Sequence, residues 1–237
     1  MRQAAAVRRR ITLSVIMPVF NEQETVGEAV SRVLQQSCVD QLIVVDDGST
    51  DETGRILAGI VDDRVRVLRN PINRGKGAAI RTAIPYARCE AVLVQDADLE
   101  YDPADIESLL RPIQNDLADV VYGSRFVSGE SRRVLLYWHS LGNRILTTLT
   151  NMVADINLTD METCYKVFRT PLLQSLDLRE NRFGFEPEVT LKVAKARARI
   201  YEVGISYSGR TYAEGKKINW KDGVSALRCI VRYGVAR

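Results

Sequence analysis

The sequence predicts one α/β domain built on a mainly parallel sheet with helices on its faces. Two observations carry this. Four short apolar, β-rich runs fall in the first half of the chain, and helical spacing separates each from the next. The 237 residues, 46% hydrophobic and 27% charged, suit one domain with a substantial core and exclude a disordered or fibrous chain. Buried-type strands alternating with helices imply right-handed parallel crossovers.

The elements follow in order. Thr12 to Met17 is a strand ending at Pro18, and Glu24 to Leu34 carries Val26, Ala29, Val30 and Val33 at helical spacing. Leu42 to Val45 is a strand stopped by Asp46-Asp47-Gly48-Ser49, and Thr53 to Ile60 is a short helix. Val65 to Leu68 is a third strand, Gly75 to Ala87 a helix, and Ala91 to Val94 a fourth strand. The second half is less regular: strands are expected at Asp119 to Tyr122, Thr163 to Phe168 and Arg199 to Tyr207, and a helix at Val134 to Val153. That helix carries Val134, Trp138, Leu141, Ile145, Leu149 and Met152 on one face, and Trp220, Val224, Leu227, Val231 and Val235 repeat the pattern near the end. Such amphipathic faces suit either core packing or a membrane interface.

Charge and cysteine usage narrow the function classes. The formal charge is +3, of which Arg2, Arg8, Arg9 and Arg10 carry +4, leaving a body at −1. A near-neutral body argues against nucleic acid as a partner. Residues 1–10 read as a basic flexible leader, without the apolar core of a signal peptide, and residues 11–237 as the domain. The longest uncharged stretch, Ile11 to Asn21, is far short of the roughly 20 residues that span a bilayer. Four scattered cysteines and a single His139 argue against a zinc site and a disulfide framework, and fit a cytoplasmic protein.

Parallel sheets bind ligands at the carboxyl ends of their strands, and chemistry-bearing residues gather there. Asp96 and Asp98 follow the fourth strand. In an extended D-x-D both carboxylates share a face, and a divalent cation shared with phosphate oxygens relieves their repulsion; Glu100 falls on the same face. Asp46 and Asp47 follow the second strand, where an acid accepts from a base edge or a ribose hydroxyl, while Ser49 or Asp51 caps the next helix. Gly75-Lys76-Gly77 lacks the spacing of a phosphate loop; it reads as a tight strand-to-helix turn that leaves Lys76 able to face a nucleotide. Glu186 and Glu188 flank Pro187 at a helix start, where acids favour the dipole.

Four segments occur in this order: Val15-Ile16-Met17-Pro18-Val19-Phe20-Asn21-Glu22, Val44-Val45-Asp46-Asp47-Gly48-Ser49-Thr50-Asp51, Asn73-Arg74-Gly75-Lys76-Gly77 and Gln95-Asp96-Ala97-Asp98. Together they resemble the inverting family 2 glycosyltransferases, whose GT-A fold is a Rossmann-like α/β domain. Tyr122-Gly123-Ser124-Arg125-Phe126, Thr159 to Lys166, and Gly209 to Lys217 are similar to the branch that makes polyprenyl-phosphate sugars, dolichyl-phosphate mannose synthases among them. The chain departs from many members in lacking carboxy-terminal transmembrane helices and in having Cys164 where many have glycine.

The resemblance implies a metal-dependent hexosyltransferase moving a mannosyl, glucosyl or N-acetylhexosaminyl group from a GDP- or UDP-linked donor to polyprenyl phosphate. Pro18, Phe20, Glu22, Val45 and Asp47 would line the nucleoside pocket. Asp96, Ala97 and Asp98 would meet the diphosphate and Mg²⁺ or Mn²⁺, with Glu100 as a further ligand. Arg125, Lys166, Arg210 and Lys216 would surround the phosphates, the last two on a glycine-bounded lid. Asp160 would be the base or orienting residue, unless it is a turn acid. The enzyme would lie on the cytoplasmic face of a membrane, with room for a membrane-protein partner. The alternatives are transfer to a soluble saccharide and a nucleotide-sugar-binding subunit with little catalysis.

Overall fold

The structure is a computed structural model that describes residues 10–127, 133, 134, 136–210 and 220–235. The leader residues Arg2, Arg8 and Arg9, and Lys216 with most of the expected lid, lie outside the described residues.

Seven strands form one sheet in the order β3-β2-β1-β4-β6-β5-β7. They are β1 (Leu13–Val19), β2 (Val39–Asp46), β3 (Val65–Arg69), β4 (Ala91–Val94), β5 (Val120–Ser124), β6 (Lys166–Arg169) and β7 (Ile200–Gly204). β1 pairs in parallel with β2 and β4, and β2 with β3; β6 runs antiparallel between β4 and β5, and β7 is parallel to β5. β1, β2 and β4 are almost continuously buried, which is why their middles read as apolar runs. Strand order reverses around β1, and the crevice of a doubly wound sheet opens at that point.

The helices are α1 (Val26–Leu34), α2 (Thr53–Ala58), α3 (Lys76–Ala83), α4 (Ile106–Gln114), α5 (Tyr137–Ala154), α6 (Thr170–Ser175), α7 (Phe185–Lys195) and α8 (Trp220–Val235). The helix expected through Ala87 stops at Ala83, and a 3₁₀ turn holding Pro85 follows. A 3₁₀ turn starting at Pro103 leads into α4, whose Pro112 interrupts the helical signal even though Ile106, Leu109, Leu110 and Ile113 are buried at helical spacing.

α5 packs inside out. Its buried residues are Thr147 and Thr150, while Trp138, Ile145 and Met152 are exposed, Trp138 at 76% and Met152 at 75%. α8, packed against α5, exposes Val224, Leu227 and Val231 at the spacing of one helical face. The apolar stripe of α5 is therefore not its core face. Among the described residues no helix is long and apolar enough to cross a membrane.

Candidate active site

A cavity of about 780 Å³ opens at the carboxyl edge of β1, β2 and β4. Pro18, Phe20, Glu22, Asp47, Lys76, Asp96, Ala97, Asp98, Glu100, Arg125 and Arg210 all line it. Its far wall comes from α5, through Trp138, Asn143 and Leu146, and from α8, through Asp222 and Ala226. Three expected residues stand elsewhere. Val45 is fully buried inside β2, between Pro18 of β1 and Leu68 of β3, so it walls the sheet and not the pocket. Lys166 and Asp160 are fully buried and do not line the cavity.

The two acids after β2 divide their work. Asp46 accepts from Ser49 N–H at 2.8 Å and pairs with Arg69 at 3.4 Å. Asp47 accepts from Asn70 Nδ2 at 2.7 Å and from the N–H groups of Arg74 and Gly75 at 2.9 and 2.6 Å. It thereby clamps the loop that leads into α3. Gly75 has φ +100°, and a Cβ there would lie 2.6 Å from Asn181 O. Only glycine lets this turn approach residues 181 and 182 so closely. The turn delivers Lys76 to the cavity, its Nζ 3.0 Å from Asp96 Oδ2 and 3.4 Å from Glu186 Oε1. Burial alone would lower the Lys76 pKa, but Asp96 and Glu186 are among the neighbours that hold it well above the usual value.

Residues 96–100 bend instead of running extended. Leu99 takes φ 63°, the left-handed region that a bulky residue occupies at a cost of about 1–2 kcal/mol. The bend lets Asp98 Oδ1 accept from Glu100 N–H at 3.1 Å. Glu100 turns away, one oxygen accepting from Tyr207 OH at 2.5 Å and the other from Arg210 N–H at 2.8 Å. The Arg210 guanidinium sits 3.3 Å from Glu22 Oε2 and 3.7 Å from Asp98 Oδ2.

Among the described residues no three His, Cys, Asp or Glu side chains converge to hold a metal. A pair still fits one. Mg²⁺ takes one or two carboxylates and completes its shell with substrate phosphates and water. Asp96 and Asp98 are hard oxygen donors on the cavity wall, and a divalent ion held there would take the place of the cations they now face, Lys76 Nζ and Arg210 Nη2. Glu100, with both oxygens engaged, does not fit the expected third ligand.

Asp160 and Arg125 form a bidentate pair: Nε reaches Oδ2 at 2.6 Å and Nη2 reaches Oδ1 at 2.7 Å. Asn143 Nδ2 adds 2.9 Å to Oδ1, and Arg125 N–H adds 3.0 Å to Oδ2. Burial would raise the Asp160 pKa, but Arg125 and these hydrogen bonds hold it below the usual carboxylate value. Burial would likewise lower Arg125, and Asp160 keeps it firmly charged. The carboxylate thus orients Arg125, which lines the cavity 5.1 Å from the Tyr207 ring centre. Lys166 donates to Glu186 Oε2 and to Thr163 O beneath the cavity floor.

The helix-start acids part company. Glu188 is buried, accepting from the N–H groups of Arg179 and Glu180 at 2.8 Å each. Glu186 lines the cavity between Lys76 and Lys166. Sequence reasoning also missed Glu162, Arg182 and Tyr207, all cavity-lining. Glu162 falls inside the Thr159 to Lys166 segment that carries the resemblance, which is the sequence signal for it, whereas only the tertiary fold brings in Arg182 and Tyr207.

The sequence model of Glycosyl transferase family 2 matches residues 14–177. An undecaprenyl-phosphate mannosyltransferase of Micrococcus luteus is 30% identical over 93% of this chain and 93% of its own length. A polyprenol monophosphomannose synthase of Mycolicibacterium smegmatis is 28% identical over 90% of this chain and 83% of its own. Glucosyl-3-phosphoglycerate synthase from Mycobacterium tuberculosis, crystallised with Mn²⁺, uridine diphosphate and phosphoglyceric acid, superposes with a TM-score of 0.74 at 18% identity, over 96% of this chain and 80% of that one. With a doubly wound sheet, an acid-lined crevice at its carboxyl edge and a profile match across most of the chain, the protein belongs to glycosyl transferase family 2.

Proposed function

We propose that this family member transfers a hexose, with inversion, from a GDP- or UDP-linked donor to polyprenyl phosphate, while lying on the cytoplasmic face of a membrane. One observation carries the reading. The cavity runs from Asp96 and Asp98 to helices α5 and α8, which turn apolar side chains outward. That arrangement matches an acceptor with an anionic head and an apolar tail. The names of the relatives from Micrococcus luteus and Mycolicibacterium smegmatis agree with it.

A phosphate acceptor is already anionic near neutral pH, so its oxygen attacks the anomeric carbon without a strong base. Arg125, fixed by Asp160, orients that phosphate. As the glycosidic bond breaks, charge grows on the departing diphosphate, and Lys76 and Arg210 meet it with cations already in place. Mg²⁺ or Mn²⁺ held by Asp96 and Asp98 would supply further neutralisation of the leaving group. The test is a panel of GDP- and UDP-sugars with labelled hexose, assayed with polyprenyl phosphate and with soluble saccharides. Label passing into the organic phase supports the reading. Label reaching only soluble acceptors, or no acceptor, overturns it.

Two further results are expected. Arg210→Ala weakens nucleoside diphosphate binding about 10-fold and nucleoside monophosphate binding far less, because a hydrogen bond to a charged group contributes about 1.5–3 kcal/mol. Calorimetry with both ligands checks this, and equal losses would put Arg210 away from the outer phosphate. Ile145→Asp and Val231→Asp, both at exposed positions, leave the melting temperature nearly unchanged and weaken sedimentation with anionic vesicles several-fold. Unaltered vesicle binding would remove these helices from the interface.

A further inference from the structure

Glu162 stands in the loop between α5 and β6 and lines the cavity together with Asn143 and Cys164. Its Oε1 is buried and has no hydrogen-bond partner in the described structure. Four charged groups face it: Glu186 from α7, Lys166 from β6, Arg125 after β5, and Asp160. Both cations are already engaged, Lys166 by Glu186 and Arg125 by Asp160. Burial, then Glu186, push the Glu162 carboxyl up to about 7. The wall at this point is therefore an unpartnered hydrogen-bonding carboxyl set among two committed ion pairs.

The reacting pair offers this wall three chemistries. Phosphate groups, ionised near neutral pH, bring acceptors and no donor for the unpartnered Glu162 oxygen. An apolar chain leaves a buried carboxyl oxygen without a partner, which is costly. The hydroxyls of a sugar remain. A carboxylate accepts from them, and a protonated carboxyl also donates to them. We infer that Glu162 grips hydroxyl groups of the donor's hexose and sets a preference for neutral hexoses over hexuronic acids. The inference rests on the glycosyltransferase reading of this cavity and names a substrate class within it. A hexuronic acid would bring a second carboxylate against Glu162 and Glu186, whereas a neutral hexose brings only dipoles.

The experiment measures binding of UDP, GDP, UDP-glucose, GDP-mannose and UDP-glucuronic acid to wild type, Glu162→Ala and Glu162→Gln, with Mn²⁺ present. Glu162→Ala is expected to weaken the preferred neutral nucleotide-sugar about 10-fold while its nucleoside diphosphate, which lacks the sugar, stays within about 2-fold. Unaltered diphosphate binding also shows that the variant is folded. Wild type is expected to prefer UDP-glucose to UDP-glucuronic acid, and Glu162→Gln, which keeps the shape and removes the charge, narrows that gap. Equal weakening of sugar-bearing and sugar-free ligands, or no weakening of either, overturns the assignment, as does a gap that Glu162→Gln leaves untouched. A wild-type protein that binds UDP or GDP but no nucleotide-sugar also overturns it. One that binds none of the five ligands fails at the level of the glycosyltransferase reading, and the inference falls with it.

Discussion

Asp98→Ala leaves a folded protein whose turnover drops by about 10³-fold or more. The side chain is partly exposed, and among the described residues it holds one backbone group, Glu100 N–H at 3.1 Å. Its removal therefore costs little stability, and a thermal melt should fall close to that of wild type. The chemical loss is large because the same carboxylate pairs with Arg210 and is one of two hard donors available to a divalent ion. Without it, Arg210 loses one of its two anchors and a metal keeps only Asp96. Excess chelator should abolish turnover of wild type in the same assay, and Mg²⁺ or Mn²⁺ should restore it. Full activity in chelator, or an active Asp98→Ala protein, would detach this residue from metal and leaving group alike.

The fold was legible where burial wrote itself into single runs. β1, β2 and β4 are wholly or almost wholly buried, so each carries an apolar stretch of at least four residues, and their ends could be placed within a few residues. The acids at those ends were legible for the same reason, since the sheet dictates where the chain emerges. Three features were not. Leu99 adopts a conformation that a bulky residue avoids, so residues 96–100 bend, and Glu100, which lines the same cavity as Asp96 and Asp98, is engaged by Tyr207 and Arg210. The stripe on α5 was visible as a period, but a period does not say which side faces in; Thr147 and Thr150 face the core instead. Arg182 lies in a loop with no regular spacing and reaches the cavity through tertiary packing alone, and Glu162, though inside the Thr159 to Lys166 segment, has no spacing that assigns it a role.

Asp160 shows what the same limit does to a mechanism. As a sequence position it serves equally as a base or as an orienting residue, but its burial and bonding favour the second role. Asp160→Ala removes both oxygens that hold Arg125 and leaves a buried guanidinium without its pair. Such a break costs about 3–5 kcal/mol, which in a chain of this length lowers the melting temperature by roughly 10 °C. The pH dependence gives the sign. The folded-state pKa of Asp160 lies below its ordinary value of 3.8, so its stabilising contribution is complete above that value and is lost as pH falls through the depressed one. The stability gap between wild type and Asp160→Ala should therefore be widest near neutrality and shrink in acid. Turnover should fall with the gap, chiefly as a raised KM for the acceptor, because Arg125 is the group set loose. An Asp160→Ala protein that melts like wild type yet has lost kcat would make the carboxylate a base after all, and Arg125 would then need another anchor.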